Sequence, residues 1–284
     1  MIRELKEIKK LLSIDWANPS IPTMPSIGLK LMEMLNSKDV SSKEVAELIC
    51  QDPALTVKVL RAVNSAFYAL NTEVTNIRHA TVLLGTPEVL KIALTSVLAE
   101  RFLDVPASAK ASAMKLWTHS VAVAVLSQDF DIEGVEEPDL YTLGLLHDIG
   151  WLLILSQIPD LYAELSKESG IRLDELEKSW GVNHRAWGAK LSEIWELPEP
   201  FQVVTLKHHD PLDIVSPPDY LLFITLANHL AHKIGFAPLA YDIEPIDPWL
   251  LEKMRLDKEA YLEIEKAAFE EKVKIGALVN QLIH

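Results

Sequence analysis

The sequence contains a single cysteine, Cys50, among 284 residues, so the chain cannot form an internal disulfide bond. A chain this poor in cysteine fits a reducing compartment, and we expect a cytoplasmic protein. Cys50 itself is expected to be a small buried residue, as free cysteines often are.

Positive charge and long apolar runs are also scarce. Lys and Arg total 27 against 41 Asp and Glu, which gives a net charge of −14 and disfavours nonspecific binding to a nucleic-acid backbone. The longest apolar stretch, residues 220–231, is too short and too polar to span a bilayer. The first ten residues mix charges of both signs and lack the apolar core of a signal peptide. We therefore expect neither nucleic acid nor membrane as a partner.

The residues that are present indicate a folded helical chain. Hydrophobic residues make up 49% and charged residues 24% of the sequence. Apolar residues recur three and four positions apart, and no convincing alternation of period two occurs, which predicts an all-α fold. Helix starts are indicated by a capping-box spacing from Ser41 to Glu44 and by the Asp52-Pro53 and Thr86-Pro87 pairs.

Breaks in the helical pattern suggest how the chain is divided. Prolines follow a short amphipathic pattern at the N-terminus, small polar residues interrupt the period at 105–108, and the composition changes after Gly235. We predict an N-terminal helix at 1–17, a central domain at 18–235 and a C-terminal helical extension at 236–284. The central domain is expected to contain an N-terminal helical subdomain at 18–105, packed on a second helical subdomain at 106–235.

An imidazole stands beside a carboxylate at His147 and Asp148, inside the apolar segment 145–150. Burying an unpaired carboxylate would cost several kcal/mol or shift its pKa, so the pair needs partners. A divalent metal suits both ligands. The alternatives are a His–Asp hydrogen bond that pins two helices, or an aspartate that accepts bonds from a neighbouring helix N-terminus.

Four more histidines fall on apolar helical faces and strengthen the metal interpretation: His119, His184, His208 and His209. The alternative is a polar core in which hydrogen bonds between helices satisfy all of these groups without an ion. If the chain is an enzyme, His147 and Asp148 are the candidate catalytic residues. His229 and His232 are expected to face the surface or the C-terminal extension.

The order of these residues resembles the HD superfamily of metal-dependent phosphohydrolases, most closely the multi-metal version found in HD-GYP cyclic-dinucleotide phosphodiesterases. The first half of the chain looks like the signature of the HDOD (HD-related output domain) family. The segments that carry this second resemblance are Pro22–Pro25, Gln51–Thr56, Val63–Tyr68 and Ile77–Ala80 followed by Leu84-Gly85.

The HDOD resemblance implies a bacterial signalling output module with an HD-like second subdomain, usually regarded as lacking the full catalytic set. Such modules are often joined to receiver, GGDEF or EAL domains. Here the module is expected to stand alone, so a receiver domain would be a separate protein. The implied partner is another signalling protein.

The resemblance also implies two metal sites that share Asp148. His119, His147 and Asp148 would hold a first metal, with Asn228 at the position of a further aspartate. Asp148, His184, His208 and His209 would hold a second, and these donors suit Fe, Mn or Zn.

Two departures from the HD-GYP pattern put a third metal and cyclic-dinucleotide hydrolysis in doubt. Lys115 stands where the related phosphodiesterases have a glutamate, and no Gly-Tyr-Pro follows His209. Activity is expected to be low because Lys115 would bring a positive charge near that position.

Two functions follow as hypotheses: a non-enzymatic signalling adaptor, or a metal-dependent phosphohydrolase acting on a small phosphoester, possibly a nucleotide. In the first half, Asn64, Phe67 and Tyr68 admit two interpretations. They form either a helix C-terminus whose aromatic residues cover the core, or a docking surface for a partner.

Overall fold

The structure is a computed structural model of this chain, and it describes residues 16, 21–37, 39–128, 130, 139–159, 162, 172–211, 214–239 and 245–283. Within these residues every regular element is a helix and no strand occurs. The all-α prediction is therefore confirmed. The predicted helix at 1–17 lies, apart from Trp16, outside the described residues.

The first half of the chain folds around one buried helix, α5, which packs against α1, α3 and α4. Predicted start signals are present: Ser41 and Glu44 form a reciprocal capping box at α2, and Asp52 caps α3. The bounds are α1 Ser26–Leu35, α2 Ser42–Cys50, α3 Pro53–Val63, α4 Ile77–Leu84 and α5 Thr86–Leu103.

Cys50, the last residue of α2, is exposed. The prediction of a buried cysteine is therefore wrong. The buried face of α2 carries Val45, Ala46 and Ile49, and position 50 lies about 100° further round the helix than Ile49.

The helical pattern is interrupted where the sequence predicted a boundary. Helix α5 ends at Leu103, a short 3-10 helix spans Ala107–Ala109, and α6 begins at Lys110. Helices α5 and α6 then pack against each other. The interruption redirects the chain, while the division into subdomains at this point remains a prediction.

The second half surrounds α7, which contacts α6, α11 and α12, while α10 packs against α8 and α11. Asp139 caps α7 by accepting a hydrogen bond from the Thr142 N–H. The bounds are α6 Lys110–Ser127, α7 Leu140–Leu146, α8 Ile149–Gln157, α9 Leu173–Trp180, α10 His184–Ile194, α11 Glu199–Lys207 and α12 Asp219–Lys233.

His147 and Asp148 lie at a junction between two helices and not inside one continuous helix. His147 is the C-terminal cap of α7, and Asp148 (φ −107°, ψ 21°) precedes α8 without using its side chain as a cap. The carboxylate is therefore available to other side chains.

The C-terminal region adds two helices, α13 Pro248–Lys253 and α14 Lys258–Ile283. The long helix α14 contacts α3, α5, α6 and α12, and so touches both predicted subdomains. None of the helices in the described part of the chain combines the length and apolarity needed to cross a membrane.

Candidate metal centre

The structure brings all six predicted ligand residues together in two groups that share Asp148. One group contains His119, His147 and Asp148, and the other contains Asp148, His184, His208 and His209. Within each group the ligand atoms lie within 4.8 Å of one another. His209 is half-buried and the other five residues are buried.

The two carboxylate oxygens of Asp148 face different pairs of histidines. Oδ2 lies 3.5 Å from His119 Nε2 and 3.4 Å from His147 Nε2. Oδ1 lies 3.3 Å from His184 Nε2 and 3.2 Å from His208 Nε2. One carboxylate thus connects the two groups, as a bridging ligand between two ions would.

Each of these four rings has its Nδ1 atom bound on the side away from Asp148. His119 donates to Phe236 O at 2.8 Å, His147 to Gly144 O at 2.7 Å, His208 to Val204 O at 2.9 Å, and His184 to Glu177 Oε1 at 2.6 Å. An imidazole that donates from Nδ1 and is neutral carries a lone pair on Nε2. When these rings are neutral, their lone pairs therefore point toward the shared carboxylate.

With neutral rings, this arrangement lacks the protons that would satisfy it without an ion. His119 Nε2 and His147 Nε2 are only 3.2 Å apart, although both rings already donate from Nδ1. Asp148 Oδ1, His184 Nε2 and His208 Nε2 are buried and form no hydrogen bond within the described residues. Buried polar atoms without partners are costly. The residues fit a divalent cation, and a set of imidazoles with one carboxylate suits Zn, Fe or Mn.

Glu177 is a candidate functional residue that the sequence analysis missed. It is buried, and its Oε1 accepts from both the backbone N and the Nδ1 of His184, at 2.7 and 2.6 Å. Metal-binding histidines commonly donate their second N–H to such a carboxylate, which fixes the orientation of the ring. Its only sequence signal is a position one residue from Leu176 on the buried face of α9.

Glu177→Gln is expected to weaken metal binding by about 10- to 100-fold, because the amide keeps the shape of the side chain but loses the charge that orients His184. Metal affinity can be measured by competition with a chelating indicator. Glu175→Gln is the matched control because Glu175 is exposed on the same helix, and its affinity should equal that of the native protein. Equal affinities for both variants would contradict a role for Glu177.

The ionisation of the centre depends on burial and on its carboxylates. Burial lowers the pKa of His208 to about 4. Burial acts in the same direction on His184, but the neighbouring carboxylates of Glu177 and Asp148 prevail and raise its pKa to about 9. Because both oxygens of Asp148 face imidazoles, its pKa lies well below the usual value in spite of burial.

The metal-free protein is expected to be most stable near pH 6.5 to 7. Stability from His184, whose folded pKa of about 9 exceeds the unfolded value of about 6.5, is present below pH 6.5 and is lost as pH rises through 9. His208 has the opposite shift, to about 4, so its contribution is lost as pH falls through 4. Urea unfolding of chelator-treated protein at several pH values measures the loss of stability at acid pH and at alkaline pH. A His184→Gln variant that still loses stability at alkaline pH would refute this assignment.

Two residues of α12 complete the surroundings of the centre. Asn228 is buried, and its Oδ1 forms no hydrogen bond within the described residues. His232 is also buried, with its ring centroid 4.8 Å from that of His119. The prediction that His232 faces the surface or the extension is therefore wrong. His232 lies one helical turn after Asn228, so both side chains are on the same side of α12. His229 does face the extension, at 3.3 Å from the hydroxyl of Tyr261 in α14.

Lys115 lies one turn before His119 on α6 but is exposed, whereas His119 is buried. Water screens an exposed ammonium from a buried site. The effect of the Lys115 charge on the centre is therefore weaker than the sequence suggested.

The side chain of Asn64 forms hydrogen bonds within the first half of the chain. Its Nδ2 donates to Val74 O and its Oδ1 accepts from Val74 N, both at 2.8 Å. Tyr68 donates to Glu88 at 2.6 Å, and its ring packs edge-on against Phe67. These contacts favour the interpretation of this segment as the end of a helix.

The fold and the centre together define a class: an all-α protein with an HD-type cluster of histidines around one aspartate. The HDOD domain model matches residues 21–211, and the chain belongs to the HDOD family. An uncharacterised protein from Treponema pallidum (strain Nichols) is 28% identical over 251 residues, which cover 85% of this chain. The chain spans 47% of that relative's length.

Solved structures share the fold. An HDOD domain protein of unknown function from Geobacter sulfurreducens is 25% identical with a TM-score of 0.74, covering 99% of this chain and 98% of that one. A candidate metal-dependent phosphohydrolase from Shewanella amazonensis SB2B is 19% identical with a TM-score of 0.61, covering 97% and 100%. A candidate signal transduction protein from Marinobacter aquaeolei VT8 is 18% identical with a TM-score of 0.75, covering 99% and 65%.

Proposed function

We propose that this chain is a bacterial signal-transduction output module that acts by binding a signalling protein in the cytoplasm. Its metal centre supports the fold and has little or no hydrolytic activity. The family membership and the likeness to a candidate signal transduction protein support this proposal. Its composition, with one cysteine and a net charge of −14, supports the cytoplasmic location and argues against a nucleic-acid partner.

Asn228 is the observation that supports the proposal most. By the HD resemblance it occupies the position on α12 where the pattern has an aspartate, and it is buried and lines one cavity with His208 and His209. A neutral amide oxygen binds a divalent ion more weakly than a carboxylate does. The first site is therefore left with His119, His147 and the shared Asp148.

The second candidate function is a metal-dependent phosphohydrolase. It is favoured by the second group, which keeps one carboxylate and three imidazoles, and by the cavity that His208 and His209 line. An ion held there would supply an activated water for attack on a phosphoester.

Asn228→Asp is expected to raise the metal content more than the activity, because it restores a charged ligand to the first site. The native protein should hold at most one tightly bound ion and should hydrolyse a generic phosphodiester barely, if at all. Elemental analysis after dialysis and a hydrolysis assay with added Mn or Fe measure the two properties.

Asn71→Asp is a suitable control, since it adds the same charge at an exposed position and should leave the metal content unchanged. His147→Ala should remove any hydrolysis that belongs to the centre. Robust, metal-dependent hydrolysis by the native protein would reject the adaptor and leave the phosphohydrolase in its place.

A further inference from the structure

A cavity of about 570 Å³ lies directly over the candidate metal centre. This volume falls in the range of sites that hold small organic molecules. Its floor includes His208, His209 and Asn228. The unpaired Oδ1 of Asn228, a residue that is 5% exposed, belongs to this floor.

The outer wall of the cavity comes from residues 245–250, which lie beyond the segment matched by the HDOD domain. Ile246, Trp249 and Leu250 supply apolar surface there, and Leu250 is buried. Asp247 caps α13 by accepting from the Trp249 N–H at 2.8 Å, which holds the tryptophan in place. This end of the cavity suits a flat apolar group.

Two arginines also line the cavity. Arg172 binds Asp174 through two bonds, of 3.0 and 2.8 Å. Arg185, which follows the ligand residue His184, binds Asp210 through Nη1. Each carboxylate fixes a guanidinium at the cavity wall, and a guanidinium is the group best suited to the oxygens of a phosphate.

The charge of the floor depends on the metal. Without an ion, the lining carboxylates Asp174, Glu177, Asp210 and Asp247 outnumber the two arginines, and an anion would be repelled. A divalent ion would offset two of these negative charges and would be the largest single charge at the floor. The loaded floor therefore attracts an anion.

We propose that this cavity binds a small organic phosphate that carries a flat ring. Its phosphate group lies on the floor beside Arg185, and its ring packs against Trp249. This inference rests on the proposed metal centre. It gives the module a ligand to sense, whether or not that ligand is hydrolysed.

The test is calorimetric titration of the full chain, loaded with Mn, using phenylphosphonate, whose C–P bond a phosphohydrolase does not cleave. Methylphosphonate lacks the ring and benzyl alcohol lacks the charge. Phenylphosphonate should bind at least about 10-fold more tightly than methylphosphonate, a difference of one decade in Kd, and benzyl alcohol should not bind detectably. Chelation should abolish the binding of both phosphonates.

Variants test separately the part of the cavity that would hold the phosphate and the part that would hold the ring. Arg185→Gln should weaken both phosphonates by about 10-fold, while Trp249→Ala should weaken phenylphosphonate to the level of methylphosphonate. Trp249→Phe keeps a flat ring and should retain most of the binding, which guards against a folding defect in Trp249→Ala. Arg101→Gln, at an exposed arginine of α5, is the control and should match the native protein.

Three results would overturn the inference: no phenylphosphonate binding by metal-loaded protein, equal binding after chelation, or equal binding by Trp249→Ala and the native protein. A protein that retains no metal in elemental analysis would instead refute the metal centre itself. The two failures are thus distinguishable.

Discussion

Asp148→Asn is expected to abolish tight metal binding, whichever of the two groups holds the ion. The two oxygens of Asp148 each lie 3.2 to 3.5 Å from two histidine nitrogens, so one carboxylate serves both groups. In asparagine, one of these positions becomes an NH₂ group, which cannot bind a cation, and the other becomes a neutral oxygen. One site loses a ligand and the other loses a charge.

The expected loss of affinity is at least about 100-fold, larger than the effect of removing a supporting carboxylate such as Glu177. Elemental analysis after dialysis gives the metal content, and chelator competition gives the affinity. Asp219→Asn is the control, because Asp219 is exposed in the first turn of α12, and its metal content should stay at the native level. A folded Asp148→Asn protein that kept the native metal content would show that the ion, if present, is held elsewhere.

Gly150→Ala is expected to destabilise the fold by about 3 kcal/mol or more, at the upper end of the usual cost of overpacking. A Cβ atom at Gly150 would lie 1.8 Å from His184 O and 2.8 Å from Gly188 N. Both are backbone atoms and cannot rotate away. Helices α8 and α10 therefore cross backbone to backbone at this point.

Gly276→Ala is the matched control, because a Cβ atom at this helical glycine meets nothing within 4 Å. It should be neutral or stabilise by up to about 1 kcal/mol, the difference in helix propensity. Urea unfolding gives the free energy of unfolding of both variants. The same crossing places His184 against Asp148, so Gly150→Ala should also lose metal affinity. A cost below about 1 kcal/mol for Gly150→Ala would mean that α8 and α10 are further apart.

The contrast between Glu177 and Glu175 shows where sequence reasoning stops. Both are acidic residues in the same short helix. Helical periodicity gives only the face of α9 on which each residue lies. The structure buries Glu177 against His184 and leaves Glu175 exposed. His232 and Cys50 were misplaced for the same reason, because a period does not state what covers each face.

By itself the sequence determined the helical class, the starts of α2 and α3, the interruption after α5, and the types and chain positions of the six residues that form the candidate metal centre. These properties depend on local spacing and capping, which short stretches of chain contain. Tertiary structure alone decided that Asp148 faces four imidazoles, that Glu177 holds His184, and that residues 245–250 close a cavity over the centre. Those relations arise from the close crossing of α8 and α10 and from contacts between residues far apart in the chain, and no local pattern encodes the distance between two helices.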